Sequence, residues 1–352
     1  MRHTFTQVRE ALSALDPARS LPARAGSQAQ AQESTSLDAI LAGSYQPPAH
    51  LEAQSDHRHR LSRRTTLSVA GALTVTAAVG VATFSLGSGA TPTAAATPAA
   101  LTYSAEKNTM DAKSRLNAIA DHTATLPDTA GQGRYDHLRY QQWSLFTRID
   151  GDQVASAVVP QQVEQWLAAD GSGKLVRTNA APQFRDHAQE QAWEKAGSPG
   201  RDTSPVVLNS VARMWNDRPP TDPTALTAWL EQGHPATAGP QETMVAITDL
   251  VKQQVLTPTE RAAVLRVLGT IPGLADLGTT TDRAGRQALA FSVDGAGQGL
   301  PTRYTLLIDP STGAVLGFEQ TLTRSAGALN VPTPSVIGYD LYQVADRTDA
   351  TS

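Results

Sequence analysis

The sequence contains no cysteine. A domain built from it cannot be held by disulfides or by the Cys-containing zinc sites of small modules, so burial alone must hold it. Histidines number eight and are scattered, with no His-Glu-x-x-His spacing, which removes that route to zinc as well. Positive charge is not in excess: 29 Lys and Arg stand against 33 Asp and Glu, and the net charge is -4 with both signs interspersed. No basic face for nucleic acid follows from such a balance.

Catalytic signatures are missing too. There is no Gly-x-Ser-x-Gly elbow. Asp170-Gly171-Ser172-Gly173-Lys174 resembles the end of a phosphate loop, but position 168 is Ala where that loop needs Gly, and no apolar helix follows, so a turn is the better reading. The run Gly295 to Gly299 lacks the strand-then-helix context of a dinucleotide loop. No catalytic residue, cofactor or metal ligand can be named, and the chain reads as a non-enzyme.

What the sequence does have is one long uncharged run, Leu67 to Leu86, free of Pro, Asn and Gln. It is as long as a bilayer-crossing helix, about 20 residues. Arg58, Arg60, Arg63 and Arg64 crowd its N-terminal side, whereas Gly87 to Ala105 carries no charge and the first basic group beyond it is Lys107. Basic flanks stay in the cytoplasm, so residues 1–66 are expected inside as a tail, 67–86 as a single membrane-spanning helix, and the rest outside. Ser62-Arg63-Arg64-Thr65-Thr66-Leu67 also resembles a twin-arginine export motif, with Ala94-Ala95-Ala96 as a small-residue cleavage site. Against cleavage stand the long segment before the run and the length of the run itself, which exceeds the about 7 to 15 residues of a signal core. Both readings place the large C-terminal part outside.

Within the tail, Phe5, Val8, Leu12 and Leu15 fall at helical spacing up to Pro17, residues 18–35 are polar and expected to be disordered, and Ser36 caps a second short helix carrying Leu37, Ile40 and Leu41. Two such pieces cannot close a core. Residues 1–56 are therefore either a solvated tail or a segment that folds on a cytoplasmic protein partner. Residues 87–102 form an Ala/Thr/Pro spacer.

The outer part, 103–347, is long enough for a real core, about 250 residues. The spacing predicts a helix over 105–124 with Met110, Leu116, Ile119 and Ala120 on one side. Strands follow at 135–145 and 154–159, then a hairpin of 162–169 and 174–178 about Asp170-Gly171, with Trp166 packed on one sheet face. Residues 181–221 read as loops. Three helices come next: 221–232, capped by Thr221 or Asp222 with Pro223 in its first turn; 242–255; and 257–268, opened by the capping box Thr257-Pro258-Thr259-Glu260. The last third alternates at period two, giving strands at 287–293, 303–308, 314–323 and 336–344, with turns at Asp282-Arg283-Ala284-Gly285 and Asp309-Pro310-Ser311-Thr312-Gly313. A sheet with one wet face needs cover on the other. The fold class is therefore α+β: a curved, half-barrel-like antiparallel sheet covered by helices. Ile247, Leu250, Val264, Leu268, Leu289, Phe291, Leu306 and Ile308 should share one core. Of these, Leu250, Leu268, Leu289, Phe291, Leu306 and Ile308 are the candidate lining of any apolar cavity between the helices and the sheet.

The anchor behind an arginine cluster, the Thr257–Leu268 helix with Ile271-Pro272-Gly273, the Gly285-Arg286 strand start and the Leu307–Gly317 hairpin together resemble an uncharacterised actinobacterial family of single-pass membrane proteins. The resemblance spans residues 50–90 and 240–320. The C-terminal half is similar in layout to LolA/RseB-like half-barrels, which implies a fold that binds acyl chains or senses envelope lipoproteins. The family resemblance also implies a gene placed near an extracytoplasmic-function sigma factor, although the zinc-binding His/Cys signature of many anti-sigma domains is absent. Two functions are expected from this. One is a membrane-anchored sensor or regulator with an envelope ligand outside and a signalling protein on its tail. The other is an anchored carrier of a lipid or lipoprotein, with the tail serving topology only.

Overall fold

A computed structural model describes residues 97–104, 110–150, 153–197, 200–297, 299–327 and 331–351. The stretch 67–86 expected to span the membrane, the arginines Arg58, Arg60, Arg63 and Arg64, and the expected tail lie outside these residues. Among the described residues no helix is long and apolar enough to cross a membrane.

The chain forms an α+β fold around one curved, unclosed antiparallel sheet of nine strands. The strands are β1 (Tyr135–Asp150), β2 (Gln153–Ala168), β3 (Ser172–Asn179), β4 (Val206–Ser210), β5 (Ala275–Thr281), β6 (Gln287–Gly297), β7 (Leu300–Ile308), β8 (Val315–Leu322) and β9 (Ser335–Thr348). Their spatial order is β4-β3-β2-β1-β9-β8-β7-β6-β5. Two runs of sequentially adjacent antiparallel strands, β1 to β4 and β5 to β9, are thus joined where the first strand meets the last, with Tyr135 opposite Thr348.

Five α-helices are described: α1 (Ala112–Ala124), α2 (His187–Lys195), α3 (Pro223–Leu230), α4 (Glu242–Gln253) and α5 (Pro258–Leu268). Their ends follow local chemistry. Asp111 accepts from the Ser114 amide and Asp222 from the Ala225 amide, and Thr257 and Glu260 form the reciprocal capping box with Pro258 in the first turn. In the β7–β8 turn Asp309 accepts from Ser311 and Thr312, and Gly313 sits at φ +68. Only glycine suits that place. A Cβ there would lie 2.9 Å from Thr123 Cγ2 of α1 and 3.0 Å from Leu265 Cδ1 of α5, so this turn also docks the sheet onto two helices.

All eight residues expected in one core are there. Ile247, Leu250, Val264 and Leu268 from α4 and α5 pack with Leu289, Phe291, Leu306 and Ile308 from β6 and β7, joined by Leu116, Ile119 and Ala120 of α1. Register explains it: Leu289 lies opposite Ile308 and Phe291 opposite Leu306, so one parity of both strands faces the helices. The other parity, Ala288, Ala290 and Leu307, forms a second cluster on the opposite face, with Leu316 and Leu101.

Several expectations need correction. The first helix starts at Ala112 and not at 105, and Met110 lies before its cap and is exposed. The segments 154–159 and 162–169 are one strand: Pro160 sits within β2, where its carbonyl accepts from the Ala180 amide. The loop region 181–221 contains α2 and β4. Residues 275–281, assigned to no element from the sequence, form the edge strand β5. The folded part extends past 103–347 at both ends, since β9 runs to Thr348 and residues 97–104 lie on the sheet.

Those N-terminal residues act as a strap across the face turned away from the helices. Leu101 packs on the outer cluster of β6–β8. Arg283 fastens it: the guanidinium donates to the Ala99 carbonyl at 3.0 Å and to Glu319 at 2.7 Å, and lies 4.8 Å over the ring of Tyr339. The strap then reaches the β5 edge at one point, where the Ser104 and Thr279 backbones exchange hydrogen bonds of 2.8 and 3.1 Å.

Candidate functional site

The polar groups that demand a reason lie under α4. Met244, Ile247 and Leu250 point that helix at the core, yet Asp249 and Lys252, one turn apart, are buried as well. Lys252 Nζ stands 2.7 Å from Asp340 Oδ2 of β9, off the line of a good hydrogen bond, and 5.7 Å over the ring of Tyr140 of β1. Asp340 also accepts from Gln142 Nε2 at 3.1 Å, and Gln165 of β2 donates to the Lys252 carbonyl. Asp249 lies 3.1 Å from His234 Nε2, an ion-pair contact rather than an aligned hydrogen bond, while His234 Nδ1 meets Glu242 at 2.7 Å.

Both ring nitrogens of His234 face carboxylate oxygens, an arrangement that suits the doubly protonated ring. Burial by itself would lower its pKa, but the contacts with Asp249 and Glu242 outweigh burial and raise it to about 9. Asp249 is pushed upward, first by burial, against the pull of His234 and Lys252. Tyr140 and Tyr342 are raised by burial and then by Asp340 and Asp249. The result is a row of charges, half-buried Glu242 and buried His234, Asp249, Lys252 and Asp340, running from the start of α4 to β9.

Beside this row opens a mostly apolar crevice of about 140 Å³, walled by Leu138, Tyr140, Val251, Val255, Val315 and Tyr342. Arg261 stands at its side, donating to the carbonyls of Thr312 and Leu256. Pockets for drug-sized ligands occupy about 300 to 1,000 Å³, so this one accommodates an apolar side chain and not a lipid. The six residues expected to line a cavity do not line it. Leu250, Leu268, Phe291, Leu306 and Ile308 are fully buried and Leu289 is 4% exposed; they pack against one another.

On the opposite face a polar cleft of about 470 Å³ is walled by His137, Glu164, Trp166 and Asp346. His137 meets Asp346 at 2.8 Å and Glu164 at 2.9 Å, and stacks on Trp166 at 5.1 Å. Lys174 lies 5.3 Å over the same indole. Trp166 is buried in the sheet, as expected for a packing residue, while its ring also walls this cleft. Among the described residues no group of three or more His, Cys, Asp or Glu could hold a metal ion.

Sequence reasoning did not single out His234, Asp249, Lys252 or Asp340. In the sequence Asp249 and Lys252 fall with Glu242 and Gln253 on one side of α4 and read as its solvent face, so nothing local marks them as buried. No family model and no curated protein sequence matches this chain.

Proposed function

We propose that this chain is a single-pass membrane protein with its N-terminus in the cytoplasm, an extracytoplasmic binding or sensor protein without catalytic activity. In this reading Leu67 to Leu86 is the anchor and Arg58, Arg60, Arg63 and Arg64 orient it. The curved sheet with helices on one face is the half-barrel-like ligand or partner module, related in layout to LolA/RseB-like domains. Residues 1–56 dock a cytoplasmic protein, as a regulator linked to sigma-factor signalling would require.

The observation that carries the sensor reading is the strap. Residues 97–104 follow the anchor stretch closely in sequence, yet they do not hang free: Arg283 fastens them to β8 and β9, and Ser104 pairs with Thr279 of β5. Displacement of the sheet by an outer partner is therefore felt by the segment that leads to the membrane. Carriage of a lipid or lipoprotein is the weaker reading, because the proposed cavity lining is packed upon itself and the neighbouring crevice is small. Deleting residues 1–56 while keeping the anchor tests the proposal: the transcriptional response of cells to envelope stress should change. An unchanged response from a normally exported protein defeats the sensor reading.

A further inference from the structure

The two edges of the sheet are treated differently by the chain. At β5 the edge is paired at one point, Ser104 with Thr279, and the Thr102 carbonyl accepts from the Thr280 hydroxyl at 2.8 Å. At the other end β4 pairs with β3 on one side and, among the described residues, with nothing on its other side. Its apolar residues stand in the open, Val206 at 43%, Val207 at 49% and Leu208 at 48% exposure. Edge strands are normally blunted by charge, above all by Lys. Here Thr203 to Ala212 carries no charge at all.

We propose that β4 is a dimerisation edge, at which a second copy of this chain pairs antiparallel about a two-fold axis at Val207 and joins two nine-stranded sheets into one. The occupant is a second copy for two reasons. An uncharged strand can face itself without the like-charge repulsion that destabilises directly opposed residues. About this axis Val207 faces its own counterpart and Val206 faces Leu208, pairs of β-branched and aliphatic side chains that suit a sheet. The β5 edge is met at Thr279 by Ser104, whereas among the described residues the outer edge of β4 has no such pairing. Pairing through it is isologous, so it stops at two copies and cannot run on into a fibre.

The strand is short, and Pro205, which lacks an N–H, ends the ladder at its start. The contact is accordingly modest in area, and the dimer is reversible. This inference stands apart from the sensor reading, since it uses only the edge and its sequence.

The absence of cysteine makes the test direct, because any introduced thiol is the only one in the chain. Facing residues in an antiparallel pair lie about 4.5 or 5.5 Å apart at Cα, inside the disulfide window of about 4.4 to 6.8 Å. In the full-length chain purified in detergent, Val207→Cys should form disulfide-linked dimers at least tenfold faster than Thr281→Cys, an exposed site at the β5 end. Mixed Val206→Cys and Leu208→Cys chains should link to each other. The unsubstituted chain should sediment as a concentration-dependent dimer, and Val207→Lys, which sets two ammonium groups face to face, as a monomer. Equal crosslinking at Val207 and Thr281, or a monomer at every concentration of the unsubstituted chain, overturns the proposal. So does a dimer that Val207→Lys leaves intact, since it must form elsewhere.

Discussion

The ammonium of Lys252 lies 2.7 Å from the carboxylate of Asp340, and neither residue exposes a tenth of its surface. Breaking such a pair strands a charge away from water, whereas replacing both partners with apolar groups can be nearly neutral. Lys252→Met should therefore destabilise by about 3–5 kcal/mol, and the double variant Lys252→Met/Asp340→Leu should regain most of that. Urea unfolding measures both. Simple addition of the two single costs would mean that the pair is not coupled.

His234 gives stability a dependence on alkaline pH. Its folded pKa is about 9 against an ordinary 6.5, since Asp249 and Glu242 overcome the opposing effect of burial. A raised pKa means that the folded state holds the proton more tightly. The contribution is thus complete below 6.5 and is lost as pH climbs through 9. Asp249, raised by burial, also makes stability fall as pH rises, but starting from the acid side at 3.8. The unfolding midpoint should decline between pH 6.5 and 9, and His234→Gln should flatten that decline. A variant with the same slope as the parent would remove His234 as its source.

The core offers a test of filled against open space. Leu268→Ala should cost about 2–5 kcal/mol and Phe291→Ala about 3–5 kcal/mol, because both are fully buried among helix and strand neighbours. An apolar fluorescent probe should not be taken up by the unsubstituted protein. Bright uptake, or costs of a few tenths, would point to a chamber in place of the packed core.

Arg283→Ala removes the contacts to the Ala99 carbonyl, to Glu319 and to the face of Tyr339 together. Limited proteolysis within residues 97–104 should then accelerate several-fold while cleavage in β1 to β9 stays slow. Unchanged protection of the strap would show that Leu101 and Ser104 hold it without the arginine.

The proposed orientation can be read with fusions. A reporter joined after residue 105 should be active only outside the membrane, and one joined at residue 50 only inside. Sequencing the mature N-terminus separates anchor from signal: a start just after Ala96 would establish cleavage.

The parts legible in the sequence were those written in short-range chemistry. Thr257 with Glu260, Asp222 before Pro223, and Asp309 to Gly313 each specify a turn or a cap within a few residues. The shared parity of Leu289 with Phe291 and of Leu306 with Ile308 sufficed to assemble the core. What escaped was weakly patterned or long-range. Helix α2 buries only Gln189 and Trp193, too thin a stripe to stand out from the polar stretch around it. Strand β5, with Asp276, Gly278 and three threonines, has little of the apolar alternation that marks strands. Lys252 and Asp340 are far apart in the chain, and a Lys in a helix reads as solvent-facing until the strand opposite it is known.

Because β1 pairs with β9, the sheet is held together at its middle by the last strand to be synthesised. The partners in that ladder are separated by about 200 residues, the kind of distant pairing that makes folding slow. Until the final strand emerges, the nascent domain consists of two half-sheets with raw inner edges at β1 and β8, each able to seize a neighbouring chain. A premature stop anywhere before Ser335 would leave those halves permanently parted. Such a product is a substrate for proteolytic clearance, however complete its helices and its core.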